Sequence, residues 1–171
     1  LKYIGPPFRR ADAEALGGAL LLARNTVTIA EGIQTTGEIS RVTPYEEVKG
    51  FWTIEREEFM RDIMPDDQAL ILNVEKKGLV IVSGCAHAGI INTIRQAQRV
   101  TGVSKVHAVI GGFHLIGADE ERVMLTVKDL AEVGPDYLYP CHCTGSKAIR
   151  KIAERFRERC RTPKTGDVIE I

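Results

Sequence analysis

The amino-acid sequence predicts an α/β fold, and three observations carry that prediction. The first is a hairpin of two apolar segments, ALILNVE and LVIVSG, around the tight turn Lys76-Lys77-Gly78; the second is a set of helix-period stripes after it; the third is an apolar strand returning after each of the first two stripes. Ahead of the hairpin, residues 1–65 read as loops and short strands, a lid or a crossover. Turn signals stand at Gly5-Pro6-Pro7, Gly17-Gly18, Gly32, Gly37 and Thr43-Pro44, with β-rich pieces at Ala19 to Leu22 and Thr26 to Ile29 between them. After the hairpin, Ile90, Ile91, Ile94, Ala97 and Val100 recur at helical spacing and Gly102 supplies the stop. A second helix carries Val123, Val127, Leu130 and Ala131, with Asp119 as its cap and Gly134-Pro135 as its terminator. A third runs from about Ser146 with Ile149, Ile152, Ala153 and Phe156 inward, and Gly166 leads to a terminal strand, Val168 to Ile171. The expectation is one domain over 1–171, in which 66–171 is a hairpin followed by alternating helices and strands.

A 44% hydrophobic and 27% charged composition over 171 residues is that of a globular chain able to bury a core, which excludes disordered and fibrous classes. Lys+Arg and Asp+Glu number 23 each, so no global field attracts nucleic acid or an anionic membrane. No apolar run approaches the roughly 18 residues of a membrane span. Two of the four cysteines flank His142 in PCHCTG, unlike the spread pairs of a disulfide framework, and the expected compartment is a reducing cytoplasm. The chain opens on Leu1, not Met, which fits a fragment, a processed product or a partial chain.

The chemistry lies at three strand ends. LVIVSGCAH closes on His87, VHAVIGGFH on His114 and DYLYPCH on His142. Carboxyl ends of strands in an open α/β sheet share one rim, so three histidines can converge there on a zinc, manganese or iron ion, with Cys85 adding a thiolate. One histidine after a strand is ordinarily a hydrogen-bonded structural residue; repetition on three strands turns the reading toward a metal. His107 lies inside its strand and is assigned to packing or an exposed face. Cys141 and Cys143 read as small buried turn residues and Cys160 as a free thiol in the last turn of the final helix. Asp66 and Asp67 offer carboxylates without a fixed aim. Two turns, His87-Ala88-Gly89 and Cys143-Thr144-Gly145-Ser146, enter helix N-termini whose free N–H groups favour phosphate, and Gly112 either permits close packing or lets a ligand approach. Gly89, Gly112, Thr144 and Gly145 are therefore the expected phosphate contacts.

The strings GCAHAGIIN, GGFHL and PCHCTG, each separated by one helix, with GIQTTGEISR and PDDQAL upstream, resemble one subgroup of the metallo-β-lactamase superfamily. That subgroup is typified by 7,8-dihydropterin-6-methyl-4-(β-D-ribofuranosyl)aminobenzene-5'-phosphate synthase. The resemblance implies an αββα sandwich with a mono- or dinuclear site of a divalent metal, zinc first and manganese, iron or magnesium as alternatives. It implies that His142 is the last metal-binding histidine, that Cys85 or His87 stands where the bridging ligand falls, and that His114 is a ligand or substrate contact. The implied reaction is condensation of a pterin methyl diphosphate with a ribofuranosyl-aminobenzene phosphate, releasing diphosphate in methanopterin-type biosynthesis. More generally, a metal-dependent hydrolase or transferase is expected.

Superfamily chains carry an HxHxDH motif in their N-terminal half, and the four histidines here include no HxH. The expectation is that this chain is the C-terminal portion of the fold, one sheet of the sandwich, whose inner face is covered by an N-terminal half or by self-association. Two other readings follow from the same departure: a non-catalytic interaction subunit, or a closed structural zinc site built from PCHCTG and Cys85.

Overall fold

The computed structural model describes residues 2–47 and 49–171. A short helix α1 (Arg10–Ala15) is followed by β1 (Thr28–Ala30), β2 (Ile33–Thr35) and the hairpin strands β3 (Trp52–Glu55) and β4 (Glu58–Arg61). The regular part contains β5 (Ala69–Val74), β6 (Gly78–Ser83), α2 (Ile90–Thr101), β7 (Val106–Gly112), α3 (Glu120–Val133), β8 (Tyr137–Cys141) and α4 (Ser146–Phe156). Six strands form one mixed sheet in the order β1-β2-β5-β6-β7-β8. β5 and β6 pair antiparallel as the predicted hairpin, whereas β6, β7 and β8 run parallel, each joined to the next by a helix. Parallel neighbours end on the same side, and this levels the three chemistry-bearing turns.

The helices cover one face of the sheet. Ile71, Leu79, Ile81, Val109 and Leu138 from the strands meet Ile90, Ile91, Ile94, Leu130, Ile152 and Phe156 from the helices in one buried core. Residues of opposite parity, Leu72, Val74, Val80, Val82, Ala108, Ile110 and Tyr139, form a second apolar layer on the other face, with Ile169 of the C-terminal segment against it. A bulge between the pairs Leu79↔Val106 and Val80↔Ala108 lets Val106 and Val109 both face the helices. The helix ends follow the sequence signals. Asp119 accepts a hydrogen bond from the Arg122 backbone N–H at the start of α3, and Gly102 and Gly134 take left-handed conformations after α2 and α3. Among the described residues no helix is long and apolar enough to cross a membrane.

Three expectations are corrected. Ala19 to Leu22 is not a strand: Leu21 and Leu22 are exposed and find no ladder partner beyond the edge of the sheet. The adjacent strand is shifted from Thr26–Ile29 to Thr28–Ala30. Val168 to Ile171 does not form a terminal strand, because the free edge of β8 is already taken by Cys160 and Arg161; Cys160 bridges Leu138, and the Arg161 N–H donates to the Leu138 carbonyl at 2.9 Å. Cys160 therefore lies beyond α4, which ends at Phe156. Hairpin β3–β4 turns on Arg56 and Glu57, both left-handed, a conformation usually signalled by Asn-Gly.

Candidate metal centre

Each parallel strand leaves the sheet through strained backbone. Among the described residues eight non-glycines have positive φ, and three of them, Ala86 (54°), His114 (46°) and His142 (50°), are at these three turns. Such residues cost ~1–3 kcal/mol each and persist where the surroundings over-determine them, as at ligand sites.

The five donor side chains fall into two groups. Cys85 Sγ lies 3.5 Å from His142 Nδ1, and Cys85, His142 and Cys143 offer ligand atoms all within 4.8 Å of one another. Ligand atoms about 3.7 Å apart suit a tetrahedral ion with zinc–sulfur bonds of about 2.3 Å, so this donor set fits a soft or borderline divalent metal after modest contraction. Separately, the rings of His87 and His114 meet edge to face at 4.5 Å, and Phe51 lies 5.5 Å from the first and 6.0 Å from the second. Asp67 stands behind His87, with Oδ1 4.0 Å from Nδ1, and its Oδ2 accepts the Ala88 N–H at 2.8 Å.

Burial sets the protonation states. It pushes the Cys143 thiol up to about 11, with the neighbouring Cys85 adding to the effect. Burial also drives His114 down to about 4, helped by the charges of His87 and Arg122. A ring held neutral keeps a lone pair for ligation, and His114 Nδ1 is buried without a hydrogen-bond partner.

The surrounding turns are built for close approach. A Cβ on Gly112 would stand 2.6 Å from the Gly84 carbonyl and 2.7 Å from Cys143 Sγ, so glycine lets the thiol pack beneath β7. Thr144 is fully buried; its hydroxyl accepts the Phe113 N–H at 3.0 Å and donates to the Cys141 carbonyl at 2.7 Å, tying the ends of β7 and β8. Gly145 begins α4 with positive φ and no side-chain cap. Gly89 begins α2 differently. Buried Glu46 accepts the Ile91 and Asn92 N–H groups at 2.9 and 2.8 Å, and a Cβ on Gly89 would collide with that carboxyl. The chain's own carboxylate thus occupies the anion position at α2. His107 hydrogen-bonds Asp136 at 2.8 Å near the amino end of β7, opposite the end that carries the donor turns.

The sequence placed His87, His114 and His142 at one rim with Cys85 as a possible thiolate and did not divide them into two groups. It gave too little weight to Cys143, which a 3-10 turn over His142–Thr144 carries to the cluster, and it had no aim for Asp67. Glu46 and Phe51 were not foreseen; Glu46, a carboxylate two residues after a proline in a loop, gave no local signal.

A mixed sheet with helices on one face and donor side chains at the ends of its parallel strands is the arrangement this chain shares with the metallo-β-lactamase superfamily. Tm1679, a metal-dependent hydrolase of the beta-lactamase superfamily, superposes with a TM-score of 0.79 at 26% identity, over 90% of this chain and 59% of that one. In sequence the chain is a relative of the 7,8-dihydropterin-6-methyl-4-(beta-D-ribofuranosyl)-aminobenzene-5'-phosphate synthase of Methanocaldococcus jannaschii. The two are 38% identical over 165 residues, 94% of this chain and 56% of the synthase. It is also 32% identical over 126 residues to the uncharacterized protein MJ0448 of that organism, covering 74% of this chain and 45% of that protein. The chain spans about half the length of these curated relatives. No protein-family profile matches it.

Proposed function

We propose that this chain supplies one wall of the active site of a metal-dependent hydrolase or transferase, acting on a phosphorylated pterin-type small molecule with release of diphosphate. The carrying observation is the meeting of Cys85, His142 and Cys143 at the ends of parallel strands, beside the His87–His114 pair. The relative's name, which joins a dihydropterin to a ribofuranosyl-aminobenzene 5'-phosphate, supports the substrate class. Cys85, His142 and Cys143 would hold a divalent ion, zinc by donor chemistry, with His87 and His114 as neighbouring ligands or substrate contacts. Such an ion supplies Lewis-acid charge at a phosphoryl or diphosphate oxygen. The chain's own part is to orient and exclude water. Phe51 walls the histidine pair, Asp67 steadies His87, and the uncapped start of α4 at Thr144 and Gly145 offers N–H groups to phosphate oxygens. The Gly89 turn is a weaker phosphate contact, since Glu46 and Asp67 already accept N–H groups there. The second apolar layer of the sheet is assigned to contact with an N-terminal half of the fold or a second copy, and the free thiols fit a cytoplasmic setting.

Elemental analysis of the purified protein tests this reading. His142→Ala and Cys143→Ser should each cut metal content sharply and His107→Ala should leave it unchanged; full occupancy in His142→Ala would overturn the assignment. Two thiols with one imidazole also favour a second reading, a closed structural zinc site. Chelation separates the two, since a structural site unfolds on stripping whereas a catalytic one keeps its fold.

A further inference from the structure

Two thiols from strands that are not neighbours meet at the rim. Cys85 follows β6 and Cys143 follows β8, with β7 between them in the sheet. Neighbouring strands lie about 4.8 Å apart, so β6 and β8 stand about 9.6 Å apart, beyond the ~4.4–6.8 Å between Cα atoms that a disulfide spans. Three features close that gap. The 3-10 turn over His142–Thr144 carries Cys143 across the end of β7, where its carbonyl accepts the Ile116 N–H at 3.0 Å. From the other side the Gly84 carbonyl accepts the Gly112 N–H at 3.0 Å, which holds Cys85 against the same strand. Between them Gly112 carries no side chain: a Cβ there would stand 2.7 Å from Cys143 Sγ and 3.1 Å from Cys85 Cα.

The thiol of one outer strand thus lies against the backbone of the other. Cys143 Sγ is 3.4 Å from the Cys85 carbonyl oxygen, and the two sulfurs are within 4.8 Å of each other. Moving one sulfur to a neighbouring rotamer shifts it by about 3 Å, enough to reach the ~2.05 Å of an S–S bond. The other two cysteines are placed differently. Cys160 bridges Leu138 at the free edge of β8, and Cys141 ends β8 outside the cluster that holds Cys85 and Cys143.

We propose that Cys85 and Cys143 form an oxidation site, closing to a disulfide across Gly112 when a hydroperoxide reaches the metal-free protein. One sulfur takes an oxygen as the peroxide O–O bond breaks, giving a sulfenic acid and releasing an alcohol, or water from hydrogen peroxide. The second thiol then attacks that sulfur, and the displaced hydroxide leaves with the thiol proton as water. Two thiols are oxidised by two electrons and one peroxide is reduced; a thiol reductant reverses the bond by exchange. In the function proposed above the same two sulfurs hold the ion, and on that reading oxidation leaves only His142 of the three donors, so ion and disulfide exclude one another.

The test is intact mass and tryptic peptide mapping of chelator-treated protein after a small excess of hydrogen peroxide. The mass should fall by two hydrogen atoms, and the peptides spanning 78–95 and 129–147 should be joined until dithiothreitol is added. Cys141→Ser should keep the link and Cys143→Ser should abolish it. Should Cys143→Ser fail to fold, Cys85→Ser replaces it, and the peptide map of the unsubstituted protein stands without either. Unchanged mass, added oxygen without a link, a link through Cys141 or Cys160, a link between two chains, or a link persisting in folded Cys143→Ser would each overturn the proposal. Zinc bound beforehand should slow the linkage, and the oxidised protein should take up about tenfold less zinc or lower. Linkage at the same rate in zinc-treated protein would sink the metal reading and leave the disulfide standing, whereas full zinc uptake with no linkage in the metal-free protein would do the reverse.

Discussion

Two turns of the same sheet lead a parallel strand into a helix, and they are finished in opposite ways. At α2 the helix start is closed from within: Glu46 accepts two backbone N–H groups, Asp67 accepts a third, and Asn92 reaches back to accept the Val42 and Thr43 N–H groups. At α4 Gly145 provides no side-chain cap. The positive end of a helix dipole is a general anion site, and here one copy serves as a clamp for the 41–47 segment while the other begins three residues after Cys143 with no side-chain cap. Sharing a topology therefore does not mean sharing a function, and the difference is set by a loop far away in sequence.

Breaking the α2 clamp should have the largest effect. Glu46→Ala leaves two buried N–H groups unpaired and is expected to destabilise the protein by ~3 kcal/mol, read from denaturant unfolding. Gly89→Ala both strains a left-handed position and drives a methyl into the Glu46 carboxyl; a loss of ~2 kcal/mol is expected by the same measurement.

Acidity then sharpens the comparison. Burial raises folded Glu46 to about 7, above its unfolded value, so the folded state holds the proton more tightly and this group's contribution to stability is lost as pH rises from about 4.5 to about 7. Burial lowers folded His114 to about 4, so it binds its proton less tightly than when unfolded, and stability from this group rises between about 4 and 6.5. The two slopes oppose. Glu46→Gln should expose the rising slope and His114→Gln the falling one, in melting temperatures taken across that range. Parallel profiles in both variants would contradict the clamp's titration. The smallest effect is expected at the other turn: Ser146→Asp adds a carboxylate to the first residue of α4 and should stabilise it by ~0.5 kcal/mol by the same denaturant unfolding.

The comparison also marks what was legible in sequence. β5 to β8 and α2 to α4 were, because apolar period and terminal glycines are local signals, and convergence of the three strand ends follows from parallel pairing. The clamp was not, since Glu46 acts on α2 across a separation of 45 residues. Nor was the division of the donors into Cys85–His142–Cys143 and His87–His114, which depends on left-handed backbone at Ala86, His114 and His142, and no side-chain period encodes that. The terminal strand was expected from the turn at Gly166 and the residues after it, and lost its place to Cys160 and Arg161.

Phe51, whose ring leans on both His87 and His114, is followed directly by Trp52, the sole tryptophan of the chain and 58% exposed. The molecule thus carries its one indole a single residue along the chain from the ring that leans on the histidine pair, and its emission is an optical reporter that needs no attached label.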